Sequence, residues 1–231
     1  MKRSTLAIAL IFLVLAIDQC LKIWIKTNFT YGEEIKILGA DWARLHFIEN
    51  DGMAFGMRLS GEYGKLSLTL FRIIAVTFIG YYLITLIKQK ASKSLIVSIA
   101  LIFSGAVGNI IDSMFYGMFF DRGINPANNV YLYAGIAQMN GEGYSTFLHG
   151  NVVDMFYFPI VNGQLPEFLG GRNFEFFRPV FNIADSAISI GVLSILLFNR
   201  GIFKDSKKNE SNKTDSEEIV SEEDKPAENP S

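Results

Sequence analysis

Four stretches of this chain are long and apolar enough to cross a bilayer, and they constrain everything else it can fold into. A hydrocarbon core of about 30 Å takes roughly 20 helical residues. The stretches run from about Leu6 to Ile25, Leu66 to Ile87, Leu95 to Ile111 and Val180 to Phe198. Backbone polar groups in lipid must be satisfied internally, so these spans are expected to be helices. Short alternating runs such as Arg44-Leu45-His46-Phe47-Ile48 read as strand. The expected fold class is therefore a membrane all-α protein of four transmembrane helices with a small β element. Lys2 and Arg3 followed by Leu6–Ile17 also open a secretory signal peptide. No small-residue cleavage box follows, and Asp18 and Gln19 precede Cys20, so the first span is expected to be retained.

Orientation follows from the short basic segments, which favour the cytoplasm. Lys2 and Arg3, then Lys88, Lys90 and Lys93, then Arg200, Lys204, Lys207 and Lys208 all fall on one side of a four-span arrangement. Both termini are expected to be cytoplasmic, and the long connections of about 26–65 and 112–179 extracytoplasmic. Residues 205–231 hold nine acids against four lysines, a net −5 in a chain of −2, which leaves +3 for residues 1–204. That division gives a membrane domain, 1–204, and an acidic cytoplasmic tail, 205–231, too polar to bury a core. Cys20 is the single cysteine, and His46 and His149 stand far apart, so no disulfide framework, metal site or cofactor is expected. Nothing is basic enough for nucleic acid.

The informative residues are polar ones set in apolar sequence, because an ionisable group at the bilayer centre costs about 2.5–3.5 kcal/mol on insertion scales. Asp18 and Lys22 share a helix face and read as an ion pair. Asn50-Asp51-Gly52-Met53-Ala54-Phe55-Gly56 is a polar turn entering apolar residues, ordinary turn chemistry when taken alone. Arg72 reads as snorkelling to the interface or as pairing with a carboxylate there. Ser104 and Gly108 make a small-residue face for close helix packing, which leaves Asn109 and Asp112 wanting partners. Asp154 interrupts the β-favouring run Val152–Phe158, and Asn182 and Asp185 open the fourth span, where they also suit a helix cap.

Carboxylates gathered at one apolar boundary repel when both ionise, so one keeps its proton near neutrality. One base and one acid suffice for aspartic peptidase chemistry. The same acids could instead form a relay in a small ion-coupled transporter, using Asp18, Asp112 and Asp185. A carrier needs acids near the midplane on broken helices, whereas Asp112, Asp154 and Asp185 gather at one expected boundary. A structural assembly factor is a third reading, and it would tolerate loss of either Asp154 or Asp185.

In order along the chain stand Asp18 with Lys22, Asn50-x-Gly52-x-Ala54-Phe55, Gly105-Ala106-x-Gly108-Asn109-x-x-Asp112, Val152-Val153-Asp154 and Phe181-Asn182-x-Ala184-Asp185. Taken together these motifs resemble the bacterial lipoprotein signal peptidases, or signal peptidase II, from Asp18 to about Ile190. The resemblance implies that Asp154 and Asp185 are the catalytic pair, and that Asn109 and Asn182 orient substrate or the aspartates. It further implies that Asp18, Lys22, Asn50, Gly52, Asp112 and Ala184 support the site or bind substrate. The implied fold is four transmembrane helices with an extracytoplasmic β-sheet cradle and a short interfacial helix. The implied reaction is hydrolysis of the peptide bond before a diacylglyceryl-modified cysteine, by a monomer in the bacterial inner membrane. Its implied partners are prolipoproteins, membrane lipid and globomycin-type inhibitors.

Two departures from that pattern stand out. Ser113 follows Asp112 where the family commonly has arginine, so Arg122 or Arg72 would have to serve. Asp112 and Asp154 also lie far apart, so about 116–148 reads as an inserted extracytoplasmic loop of turns. The aromatic stretch 156–177 is expected to lie on the membrane surface and guide acyl chains.

Overall fold

The computed structural model describes residues 2–50, 62–121, 135–164, 167, 170–171, 173–176 and 179–198. Helix α1 (Arg3–Asn28) leads into strands β1 (Glu34–Lys36) and β2 (Arg44–Asn50), joined through a tight turn at Ile37–Gly39. Helices α2 (Glu62–Lys88) and α3 (Lys93–Ile111) form a hairpin. Lys90, in the left-handed region at φ 54°, ends the first, and the Ser92 hydroxyl caps the second by accepting from Leu95 N at 3.2 Å. The helical path continues past Asp112 as one π-turn, Asp112–Tyr116, and the short α4 (Gly117–Phe119). Strands β3 (Val152–Tyr157), β4 (Val161–Gln164), β5 (Asn173–Phe176) and β6 (Val180–Phe181) follow, then α5 (Ile183–Phe198).

Among the described residues, α1, α2 and the helical run Lys93–Phe119 are long and apolar enough to cross a bilayer, and α5 is a fourth, shorter apolar helix. The outward faces of α1 and α2 carry Phe12, Phe71, Phe78 and Tyr81, each at least two-thirds exposed, as expected of surfaces whose solvent is lipid. The fourth apolar stretch was expected to be helical from Val180. Val180 and Phe181 instead extend the sheet, pairing with Tyr157 and Phe156, and the helix begins only after Asn182. A continuous apolar run does not distinguish strand from helix, and the cap decides the boundary.

The main sheet is antiparallel with order β1-β2-β3-β6, and β4 and β5 form a separate hairpin. The strand expected near Arg44–Ile48 is β2, which bulges between Leu45 and Ile48 where it pairs with β3. Beneath the sheet, Ile25, Phe29, Phe47, Tyr116, Phe120, Val153 and Met155 form one apolar core. A second core, around Ala7, Leu86, Ile96 and Ala100, fills the opposite end of the helices. There Arg3 Nε donates to Ala91 O at 2.9 Å, which brings the basic N-terminus and the basic α2–α3 turn together. Of the expected inserted loop, residues 122–134 lie outside the described part. Its ends fold back on α4 through Tyr144 N to Phe120 O and Ser145 N to Gly117 O. The short interfacial helix implied by the resemblance has no counterpart longer than one turn among the described residues. The acidic tail, Gly52 and Arg122 lie outside the described residues.

α5 packs most extensively on α3. The two helices come close at Gly105, one residue from the expected Ser104–Gly108 face. A Cβ there would stand 2.2 Å from Ala184 O, so only glycine lets the start of α5 lie against α3.

Candidate active site

The polar residues singled out in the sequence converge where α1, α3 and α5 meet β2 and β3. Lys22, fully buried, places its ammonium 3.0 Å from Asp18 Oδ2, 2.8 Å from Asp112 Oδ2 and 2.9 Å from Asn109 Oδ1. Its three protons therefore have three acceptors. Gly108 makes room for this group, since a Cβ would come within 2.7 Å of Asp18 Oδ2. The expected Asp18–Lys22 pair is present, and it is a buried triad rather than an isolated surface pair.

Two carboxylates and one ammonium leave an excess negative charge, which only further donors make tolerable. Gln19 Nε2 supplies some, lying 3.0 Å from Asp18 Oδ2, 2.9 Å from Asp112 Oδ1 and 3.2 Å from Gly108 O. Backbone amides supply the rest. Asp18 Oδ1 accepts from Ala184 N at 2.9 Å, at the N-terminus of α5, where unpaired amides favour an anion. Asp112 Oδ2 accepts from Val153 N at 3.2 Å. Each carboxylate thus holds the amide of the residue immediately preceding one of the two remaining aspartates, Asp185 and Asp154.

Asn182 links those two. Its Oδ1 accepts from Asp185 N at 2.9 Å while Asp185 Oδ2 accepts from Asn182 N at 3.4 Å, so the pair is a reciprocal helix cap. Its Nδ2 reaches Asp154 Oδ1 at 2.7 Å, Asn109 Oδ1 at 3.1 Å and Val153 O at 3.2 Å. Capping and site-building are thus carried out by the same side chain. Asn109 Nδ2 donates to Asp185 Oδ1 at 2.8 Å, and Asn50 Nδ2, at the end of β2, lies 3.4 Å from Asp154 Oδ2.

Asp154 is 2% exposed, and burial pushes its carboxyl up to about 7. The charge of Asp185 pushes the same way, whereas Lys22 and the bonds from Asn182 and Asn50 pull against it. A carboxyl poised near neutrality beside a second one suits transfer of a proton in either direction. Arg72 of α2 is within electrostatic reach of both Asp185 and Asp154. Ser113, where arginine was expected, is buried and donates to Asn109 O at 3.0 Å.

The family model for signal peptidase (SPase) II matches residues 10–200. The chain belongs to the signal peptidase II family. The lipoprotein signal peptidase of Porphyromonas gingivalis is 45% identical over 195 residues, covering 82% of this chain and 80% of its own. That of Amoebophilus asiaticus is 38% identical over 193 residues, covering 81% and 75%. A bacterial membrane enzyme solved by the in meso method at 2.3 Å shares the fold, with TM-score 0.54 and 24% identity over 88% of this chain and 91% of that one. Membership of the signal peptidase II family makes the chain a membrane peptidase, and the carrier and assembly-factor readings give way to it.

Sequence reasoning missed Gln19, which was read only as part of the sequence before Cys20. It also missed Lys26, Glu49, Asn151 and Lys65. The signal for Lys26 was available, as a second lysine one turn after Lys22 in the same apolar helix.

Proposed function

We propose that Asp154 and Asp185 are the catalytic pair with which this signal peptidase II removes signal peptides from prolipoproteins. The observation that carries the assignment is the Asn182 side chain, which caps Asp185 while bonding Asp154. Asp154, whose carboxyl is pushed up to about 7, serves as the acid, and Asp185 as the base takes a proton from the attacking water as the water oxygen bonds to the scissile carbonyl carbon. Asp154 donates to the carbonyl oxygen. Collapse of the tetrahedral intermediate breaks the C–N bond, Asp185 passes its proton to the leaving amine, and the hydroxyl that becomes the new carbonyl returns its proton to Asp154.

In this reading Asn109 and Asn182 orient the aspartates, and Asp18, Lys22, Asp112 and Ala184 hold the backbone on which they sit. Asn50, at the end of β2 and facing Asp154, and Gly52 serve to bind substrate. The four apolar helices cross the inner membrane with both termini in the cytoplasm, and the sheet forms an extracytoplasmic cradle. The convergence of the N-terminus with the basic α2–α3 turn, at the end away from the sheet, supports that orientation. The bond cut precedes a cysteine bearing two acyl chains, which reaches the site within the bilayer. Globomycin-type inhibitors would compete for the same place, and a monomer suffices. The β4–β5 hairpin lies within the aromatic stretch expected to guide acyl chains, and retention of full activity after its deletion would remove that role.

The deciding experiment is cleavage of a diacylglyceryl-modified prolipoprotein by purified protein in lipid. Asp154→Asn and Asp185→Asn are each expected to lose at least about 10³-fold in rate while remaining folded. Undiminished cleavage by either variant overturns the assignment.

A further inference from the structure

Lys26 is as deeply buried as Lys22, one helical turn further along α1, and the proposed chemistry does not use it. Its ammonium pairs with Glu49 of β2, both side chains being 1% exposed. It also lies over two rings, 5.1 Å from the centroid of Tyr144 and 5.5 Å from that of Phe120. The second oxygen of Glu49 accepts from Asn151 Nδ2 at 2.9 Å, and Asn151 Oδ1 accepts from Lys65 of α2. Asn151 N, in turn, donates to the Tyr144 hydroxyl at 2.6 Å. Glu49 stands opposite Val153 across the sheet, beside Asp154, and Asn151 lies three residues before Asp154. The α1 and α2 helices, β2 and the inserted segment are thus all tied to the start of the strand that carries Asp154.

We infer that this second network, Lys26–Glu49–Asn151 with Lys65 and Tyr144, positions Asp154 against Asp185, so that the inserted segment is part of the frame of the active site. The inference rests on the reading of those two aspartates as the catalytic pair. Three observations favour positioning over bulk packing. The network is polar and charged where apolar residues would fill the same volume with no desolvation cost. It converges on one strand end. And it reaches that strand through Glu49 of β2, on the edge of β3 away from β6, while Asn182, which directly follows β6, holds Val153 O and Asp154 Oδ1. A strand end held on both sides keeps the carboxyl it carries from drifting from its partner by the fraction of an ångström that costs rate.

Tyr144→Phe tests this, since it keeps the ring over Lys26 and deletes only the hydroxyl facing Asn151 N. The assay uses full-length protein in lipid with a diacylglyceryl-modified prolipoprotein. The kcat of folded enzyme is expected to fall about tenfold or more with KM within about twofold of wild type. The descending limb of kcat against pH is expected to move to lower pH as water reaches a loosened Asp154. The charged groups around Asp154 are otherwise unchanged: Asp185 on α5, Lys22 on α1, Asp112 on the π-turn and Arg72 on α2. The double variant Lys26→Met with Glu49→Gln removes both charges together and is expected to fold with the same two changes; if it does not fold, Tyr144→Phe decides alone. Wild-type kcat and pH profile in Tyr144→Phe overturn the inference. So does a loss of activity that only follows loss of folded protein, with the profile unmoved. Asp154→Asn is assayed alongside: if it still cleaves, the reading of the catalytic pair fails, whereas if it is inactive and Tyr144→Phe is unaltered, only the present inference fails.

Discussion

At the scale of single residues, the site holds its reactive carboxyl at a cost to stability. Asp154 is held in the fold well above the ordinary carboxylate range, so between about pH 4 and 7 the unfolded chain loses a proton that the folded chain keeps. Stability tied to this group is present at acid pH and lost as pH rises through about 7. Asp154→Asn is therefore expected to be inactive yet more resistant to heat than wild type at pH 8, by on the order of 1 kcal/mol or more. That advantage should close as pH falls towards 4, and thermal unfolding in detergent across pH checks it. The same carboxyl predicts that wild-type kcat/KM declines above about pH 7, as the acid of the pair loses its proton. Lys22 is the opposite case. Lys22→Met would leave Asp18 and Asp112 facing one another in the interior, and the loss is expected to be about 3–5 kcal/mol. A melting temperature equal to wild type would show that Gln19 and the backbone amides alone carry those charges.

Between elements, precision comes from close backbone approach. Gly105 lets Ala184 O lie where any side chain would begin, and Ala184 N is itself held by Asp18. Gly105→Ala is expected to push α5 from α3, destabilising the fold by about 1–3 kcal/mol and displacing Asp185. Cleavage lost well beyond the drop in folded fraction would separate the displacement from the destabilisation. The π-turn at Asp112–Tyr116 belongs to the same scale. It carries the helical path past Asp112 into α4, so that the segment returning along α4 reaches β3 with Gly150 N on Ser113 O at 2.8 Å.

For the whole molecule, the match to the family ends at residue 200, and the charge division falls at about 204. A chain truncated after Lys204 is expected to cleave at the wild-type rate in purified form, which a direct comparison of kcat/KM checks. Much of the site was legible because a charge or an amide in an apolar run demands a partner. Asp18, Lys22, Asn109, Asp112, Asp154, Asn182 and Asp185 each drew notice that way, and each has partners in the fold. Which partner each has was not legible. The Asp18–Lys22 spacing is fully explained by a pair on one helix, and nothing in it discloses Asp112 as the third member.

The sequence by itself determined the number and positions of the apolar stretches, the placement of the basic clusters and the family. Hydrophobic length, charge and motif order are properties of the chain read along its own axis. Only the tertiary structure decided that Val180 and Phe181 are strand, that Gly105 lets α5 lie close against α3, and that two separate charged networks grip the strand carrying Asp154. Those facts depend on which backbone amides and carbonyls the helices and strands leave unpaired and where they meet in space, and contacts between residues as distant as Asp18 and Ala184 leave no local pattern to read.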